Sequence, residues 1–260
     1  MIFSVVIPCF NSQNTIARAL QSVVNQSFKD FEIIVVDDGS VDNTKNEIAL
    51  FFQNNNVAHT VVYQENKGAA SARNTAVKKA KGKYIAFLDA DDEWYREKLQ
   101  IQFKYIKQLN IKFISCEYTY NNFNAKIDSS NIEEYTFNDF LFSNRTSTPC
   151  TVIEKDLFDN VGGFSEHQRY SEDYYLWLKI SHKTNLFKVN LPLVKLYKNA
   201  YGEDGLSSQL WKMQSNELQN YIKLYQKNYI SKMMTITYIC ISFIKFLKRY
   251  VTVTFRKSFA

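Results

Sequence analysis

Four acids crowd into five residues of this chain: Asp89, Asp91, Asp92 and Glu93, with only Ala90 among them. They follow directly on an apolar run, Tyr84 to Leu88, in the stretch YIAFLDADDEW. Two carboxylates one residue apart can share a divalent cation. Mg²⁺ or Mn²⁺ takes one or two protein carboxylates and fills its other positions with phosphate oxygens and water. A nucleotide diphosphate would complete such a site. A second acid pair, Asp37-Asp38, closes another apolar run, FEIIVV. Asp also follows strands as a turn former or helix cap, so either pair alone is ambiguous. Two pairs, each ending a strand of one sheet, are harder to assign to turns.

Other candidates have plain alternatives. Glu172-Asp173 opens an amphipathic stretch, where the helix dipole favours acids in the first turn. Arg73 lies in the alanine-rich GAASARNTAVKKAK and could be an ordinary surface residue of a helix. Asp92 and Glu93 read as acids that help start a helix from Trp94. Some chemistries are missing. There is no GxxxxGK[ST] loop, and no GxGxxG follows the first apolar run. His59, His167 and His182 are too scattered for a zinc site. Cys9, Cys116, Cys150 and Cys240 have neither metal nor redox spacing, which fits free thiols in a reducing compartment.

These residues need elements to hold them. Phe3 to Ile7, Phe31 to Val36, Thr60 to Tyr63 and Tyr84 to Leu88 predict strands. Between them, residues 14–26, 42–54 and 68–81 predict helices, with Ser12 or Asn14 as cap of the first. That alternation implies a parallel sheet with helices on both faces. Uninterrupted apolar strands agree, because parallel sheets are buried on both sides. Open parallel sheets bind ligands beyond the carboxyl ends of their strands, where both acid pairs stand. Further on, a helix is expected at 95–108, a strand at 112–120 and a short helix at 137–142. A strand at 151–153, a helix at 155–161, a turn at Gly162-Gly163 and a helix at 171–182 follow. One or two strands at 186–197 and a mobile loop at 199–209 complete the pattern.

With 260 residues, 45% of them hydrophobic, the chain can bury one large core. The net charge of +6 is unevenly spread. Residues 218–260 hold eight Lys or Arg and no acid, leaving 24 basic against 26 acidic groups before them. The basic character therefore belongs to a tail. Its longest uncharged run, Met233 to Ile244, is too short to span a bilayer, which takes roughly 20 residues. Lys245, Lys248, Arg249, Arg256 and Lys257 surround Tyr238, Phe243, Phe246, Tyr250 and Phe255. Such a helix can lie on an anionic membrane surface, or pack on the domain or on a second copy as a homodimer. No nucleic-acid-binding motif accompanies the charge. No secretory leader is expected, because no basic stretch precedes the first apolar run and Pro8 interrupts it. The sequons at Asn25 and Asn144 then read as chance.

Five stretches in order, SVVIPCFN at 4–11, IIVVDDGSVDNT at 33–44, NKGAASARN at 66–74, FLDADD at 87–92 and SEDYYLWLKI at 171–180, resemble the family 2 glycosyltransferases. The resemblance covers residues 1–210. It implies a GT-A, Rossmann-like α/β fold with a mostly parallel sheet, divided into a nucleotide-binding half (1–100) and an acceptor-binding half (101–210). Residues 211–260 would form a helical extension. It also implies roles. Pro8, Phe10 and Asn11 would line the pocket of the base, and Asp38 would accept a hydrogen bond from it, with Asp37 fixing the loop. Arg73, Asp89, Ala90 and Glu172 would contact the nucleotide sugar. Asp91, with Asp89, would hold the Mg²⁺ or Mn²⁺. Asp173 would act as catalytic base in an inverting transfer from a UDP-sugar to a glycan or lipid-linked glycan acceptor. That points to lipopolysaccharide, O-antigen or capsule synthesis at the inner face of the cytoplasmic membrane. Two rivals stand beside this reading. A nucleotidyltransferase needs a Gly-rich basic loop after its first strand, and PCFNSQNT has no glycine. A non-catalytic scaffold would not need Asp38, Asp91 and Asp173 intact.

Overall fold

A computed structural model describes residues 1–123, 131–198 and 209–258. The first half alternates as expected: β1 (Phe3–Cys9), α1 (Ile16–Val24), β2 (Phe31–Asp37), α2 (Thr44–Asn54), β3 (His59–Tyr63), α3 (Ala69–Lys79) and β4 (Tyr84–Phe87). These four strands are parallel, in the order β3-β2-β1-β4. Every residue of β1, β2 and β4 is buried. Side chains alternate between two apolar layers, the strand period of two. Phe3, Val5 and Ile7 join α1 on one face, while Val6, Ile34 and Val36 join α3 on the other.

The second half extends the sheet through β6 (Phe113–Thr119), β8 (Val152–Glu154) and β9 (Leu186–Lys195). β8 runs antiparallel between β4 and β6, and β9 runs parallel to β6. The carboxyl ends of β1, β2, β4, β6 and β9 therefore share one edge. Helices α4 (Lys98–Leu109), α5 (Phe137–Phe142), α6 (Lys155–Asn160) and α7 (Glu172–Ser181) complete this half. Trp177 of α7, fully buried, stacks on Phe113 and lies edge-on to Phe164.

Several expectations change. Glu93–Trp94 do not begin a helix; they form β5, a two-residue strand paired with β9, and α4 starts only at Lys98. Trp94 Nε1 donates to the Pro149 carbonyl, which fixes the strand. Neither Ser12 nor Asn14 caps α1: Thr15 takes that position without a side-chain cap bond, and the Ser12 carbonyl accepts from the Thr15 and Ile16 amides. A further strand, β7 (Ile132–Tyr135), pairs with β9. Its IEEY pattern hides it, because the two glutamates face solvent at the sheet edge. The tail is two helices, α8 (Leu210–Gln226) and α9 (Lys232–Ser258). Asn220 and Tyr221 of α8 are buried in the domain. The side chains of Arg256 and Lys257, and nearly all of the expected loop at 199–209, lie outside the described residues.

Two glycines place the strands and loops that carry the acids, one at each end of the sheet. A Cβ on Gly82 would sit 2.5 Å from the Ser4 amide nitrogen, so only glycine lets the chain enter β4 beside β1. Gly39 has φ +79, and its Cβ would meet the Asn66 amide at 2.9 Å. Gly39→Ala is expected to destabilise the fold by about 1–3 kcal/mol. A thermal melt of the variant checks this.

Candidate active site

The loops after β1, β2 and β4 converge on a cavity of about 470 Å³ lined by Pro8, Phe10, Asn11 and Asp38, with Arg73, Asp89, Ala90 and Asp91 on its other side. A second cavity, of about 580 Å³, is lined by Asp89, Asp91, Asp173 and Tyr174. Asp89, Asp91 and Lys198 line both and form the wall between them. All the sequence candidates except Asp37 and Glu172 thus line one cavity or the other.

Each acid is held by identifiable groups. Asp38 accepts from Gln64 Nε2 at 2.8 Å and from the amides of Lys67 and Gly68 at 2.9 and 2.7 Å. It therefore ties the start of α3 to the end of β2. Asp37 is buried; one oxygen accepts the Ser40 amide at 2.9 Å, and the other has no partner. Asn11, at φ +48, joins the two loops: its amide donates to Ser40 Oγ and its side-chain oxygen accepts from the Val41 amide. Asn tolerates that left-handed backbone better than most residues.

Arg73 is no surface residue. Its side chain is 7% exposed and pairs with Asp89 at 2.7 Å and Glu172 at 3.3 Å. Burial works against its charge, but the two carboxylates outweigh burial and hold the guanidinium above its ordinary range. One planar donor thus links the acids after β4 to the acids of α7. Glu172 lies behind Arg73, lining neither cavity. Burial, and then the charge of Asp173, push Glu172 up to about 7 against the pull of Arg73.

Asp173 is half-buried and faces the second cavity. Burial raises its pKa, with Asp89 adding to the effect and the Tyr174 amide and Arg73 opposing it. The residue before the pair, Ser171, has φ +53, a strained conformation for serine. Neighbours enforce it. The Ser171 carbonyl accepts from Gln168 Nε2 at 3.0 Å and Asn220 Nδ2 at 3.2 Å. Gln168 in turn donates to Asn220 and accepts from Lys223 Nζ. Helix α8 therefore braces the turn that aims Asp173.

The residues fit a divalent ion. Among the described residues, no three His, Cys, Asp or Glu converge as a closed metal site. A diphosphate-bound Mg²⁺ or Mn²⁺ needs only one or two carboxylates. The negative charge is crowded here: burial, then Asp89 and Asp91, push Asp92 up to about 8. A stand-in cation is already at hand, for Lys198 Nζ lies 2.7 Å from Asp91 Oδ2. Asp91 and Asp89 are the residues that would hold the metal. Asp92, expected at a helix start, is buried and accepts from the Tyr197 amide at 3.4 Å.

Sequence reasoning missed Lys198 and Arg18. Arg18 donates to the Asp91 carbonyl at 2.7 Å, and its guanidinium lies 3.6 Å over the Tyr197 ring. The rule that ligands sit beyond strand ends would have pointed to Lys198, just past β9, had that strand's direction been known.

A sheet of this order, with acids at its carboxyl edge and two adjoining cavities, is the GT-A fold. S. aureus TarS 1–349 in complex with UDP-GlcNAc matches it with a TM-score of 0.75 at 21% identity, over 97% of this chain and 73% of that one. The Pyrobaculum calidifontis mannosyltransferase PcManGT, in complex with GDP-Man and Mn²⁺, matches with a TM-score of 0.67 at 18% identity, over 96% and 75%. The model of glycosyl transferase family 2 matches residues 4–165. The Escherichia coli UDP-Glc:alpha-D-GlcNAc-diphosphoundecaprenol beta-1,3-glucosyltransferase WfgD is 32% identical over 212 residues, 81% of each chain. The chain spans about a third of the length of several Rickettsia relatives. This chain belongs to glycosyltransferase family 2.

Proposed function

We propose that this enzyme transfers a hexose or N-acetylhexosamine from a UDP-sugar to a hydroxyl of a lipid-linked glycan, with inversion, in the synthesis of a surface polysaccharide. The observation that carries the reading is the wall of Asp89 and Asp91 between two cavities, with Asp173 in the second. The first cavity suits a nucleotide, with Pro8 and Phe10 beside the base and Asp38 within its wall. The second suits the acceptor. Asp173 takes the proton of the acceptor hydroxyl, whose oxygen forms the new bond to the anomeric carbon. The bond from that carbon to the diphosphate breaks, and its electron pair leaves with UDP. One carboxylate suffices for a single displacement. A divalent ion at Asp91 and Asp89 would supply positive charge for the departing diphosphate. Lys198 adds a positive charge at the same place, and Arg73 fixes Asp89 and Glu172 from behind.

Relatives support the substrate class: WfgD is named for UDP-Glc and a diphosphoundecaprenol-linked GlcNAc, and TarS holds UDP-GlcNAc. No helix among the described residues is long and apolar enough to cross a membrane. Peripheral attachment at the inner face of the cytoplasmic membrane is the reading for α9. Its outward side exposes Met233 (79%), Ile236 (56%) and Ile244 (66%), and Lys248 is exposed beside them. Phe246, by contrast, is buried against Trp211.

Asp91→Ala is expected to remove the metal-dependent part of UDP binding, about tenfold or more, for loss of a charged ligand. Calorimetric titration of UDP with Mn²⁺ and with chelator measures this. Equal affinities in wild type and variant would sink the assignment. Release of UDP from a panel of UDP-sugars by the wild type tests the donor.

A further inference from the structure

Helix α1 carries a polar row that runs along the acid loop. Arg18 and Ser22 lie on α1 and Gln26 just past its end, at four-residue steps that share one helix face. Each holds main-chain groups of the segment that leaves β4. Arg18 Nη2 donates to the Asp91 carbonyl at 2.7 Å. Ser22 Oγ accepts from the Trp94 amide at 3.1 Å. Gln26 Nε2 donates to the Tyr95 carbonyl at 2.8 Å, and its Oε1 accepts from the Leu99 amide at 3.0 Å. The helix thus grips residues 91–99 by their backbone, rung by rung. Ser22 and Gln26 are buried, and their rungs fasten β5 and the start of α4. Arg18 is the rung at the cavity end. Asn14 and Thr15, a turn before it, line the nucleotide cavity, and its partner Asp91 stands in the wall between the two cavities.

The form of the Arg18 contact decides what it can do. Arg18 itself lines neither cavity. It takes the carbonyl of Asp91 and leaves the carboxylate to the cavities, where Lys198 meets Oδ2. Asp89, by contrast, is held through its carboxylate by Arg73. A second group fixes the Arg18 plane, for the guanidinium lies 3.6 Å over the Tyr197 ring. Tyr197, just past β9, also ties down the two residues after Asp91. Its hydroxyl donates to Glu93 Oε2 at 2.8 Å, and its amide to Asp92 Oδ1 at 3.4 Å. We propose that Arg18, stacked on Tyr197, is a positioning residue that fixes the main chain of Asp91 and so aims its carboxylate at the metal. This rests on the reading of Asp91 as metal ligand given above. Charge alone would not give Arg18 that role, because a guanidinium near the ligand repels a divalent ion. Its contribution is where the ligand stands.

The test is calorimetric titration of UDP into the full-length protein, with Mn²⁺ and with chelator, for wild type, R18M, R18K and S22A. The ratio of the two affinities measures the metal-dependent part of binding. R18M should cut that ratio about tenfold, the scale seen when a group that orients a metal ligand is removed. Its UDP affinity in chelator should stay at the wild-type value, because Arg18 lines neither cavity. R18K keeps a donor for the carbonyl and should recover part of the ratio. S22A removes a rung away from the cavities, so it should lower the melting temperature and leave the ratio as it was. Equal ratios in R18M and wild type overturn the proposal. So does a higher ratio in R18M, the result expected if Arg18 acts by charge alone, since removing a cation favours the metal. An equal fall in S22A overturns it too, by making the whole row merely structural. If the wild type binds UDP equally with Mn²⁺ and with chelator, the metal reading fails and the role of Arg18 with it; a wild-type ratio that survives in R18M fails Arg18 alone.

Discussion

Asp173→Asn should lower transfer by about 10²–10⁴-fold while leaving UDP affinity as it was. Asn keeps the shape and still accepts the Tyr174 amide bond, which is 2.7 Å in the wild type. It cannot take a proton. Full turnover by this variant would remove Asp173 from the role of base. The pH dependence follows from the same carboxyl. Its pKa is raised, chiefly by burial, from the ordinary 3.8. A base must be unprotonated, so activity is lost as pH falls through the raised value and kcat/KM climbs to a plateau above it. The acid limb should therefore lie higher than an exposed aspartate would place it. The sign for stability is opposite. A folded state that raises a carboxyl's pKa binds its proton more tightly than the unfolded chain does, so ionisation removes stability as pH rises. For Glu172 that loss falls between about 4.5 and about 7. Asp173→Asn should melt no lower than wild type at pH 8.

Arg73→Met should be the most damaging single change to the fold. Its guanidinium is buried between Asp89 and Glu172, and Met replaces its volume without its charge. Removing one partner of a buried ion cluster typically destabilises by about 3–5 kcal/mol. For a chain of this size that lowers the melting temperature by about 2–4 °C per kcal/mol. Activity should fall as well, because Asp89 loses its anchor. Adding Glu172→Gln removes one stranded carboxylate, so the double variant should recover part of the loss, a coupling that a double-mutant cycle reads directly. Arg73→Lys should fall between, since one ammonium cannot bridge both acids. A melt of Arg73→Met within about 1 °C of wild type, a fraction of a kcal/mol, would show that the cluster is not structural.

The first half of the fold was legible because its signals are local. Phe3, Val5 and Ile7, then Ile33 to Val36, are apolar runs of strand length, and the acids stand where those runs stop. The five stretches carried the family and the candidate site. What escaped depended on partners far along the chain. Arg73 looks like any arginine of a helix until Glu172, 99 residues on, folds against it. Lys198 matters only because β9 runs parallel to β6 and ends at the acid edge. Glu93 and Trp94 read as helix start because their partners, Lys195 and Val194, lie a hundred residues away.

The brace on Ser171 bears on how this enzyme can be recombined with its relatives. The segment matched by the family model stops at residue 165, before Asp173. Gln168 reaches from the intervening turn to Asn220 and Lys223 on α8. A hybrid spliced at residue 210 would keep Asp173, the proposed base, and discard the struts that hold its strained approach. Donor-side modules should be exchangeable at the earlier boundary, whereas the segment from 166 through α8 should move as one piece. Splices on either side of that piece, compared for turnover at equal UDP affinity, would reveal the unit of exchange.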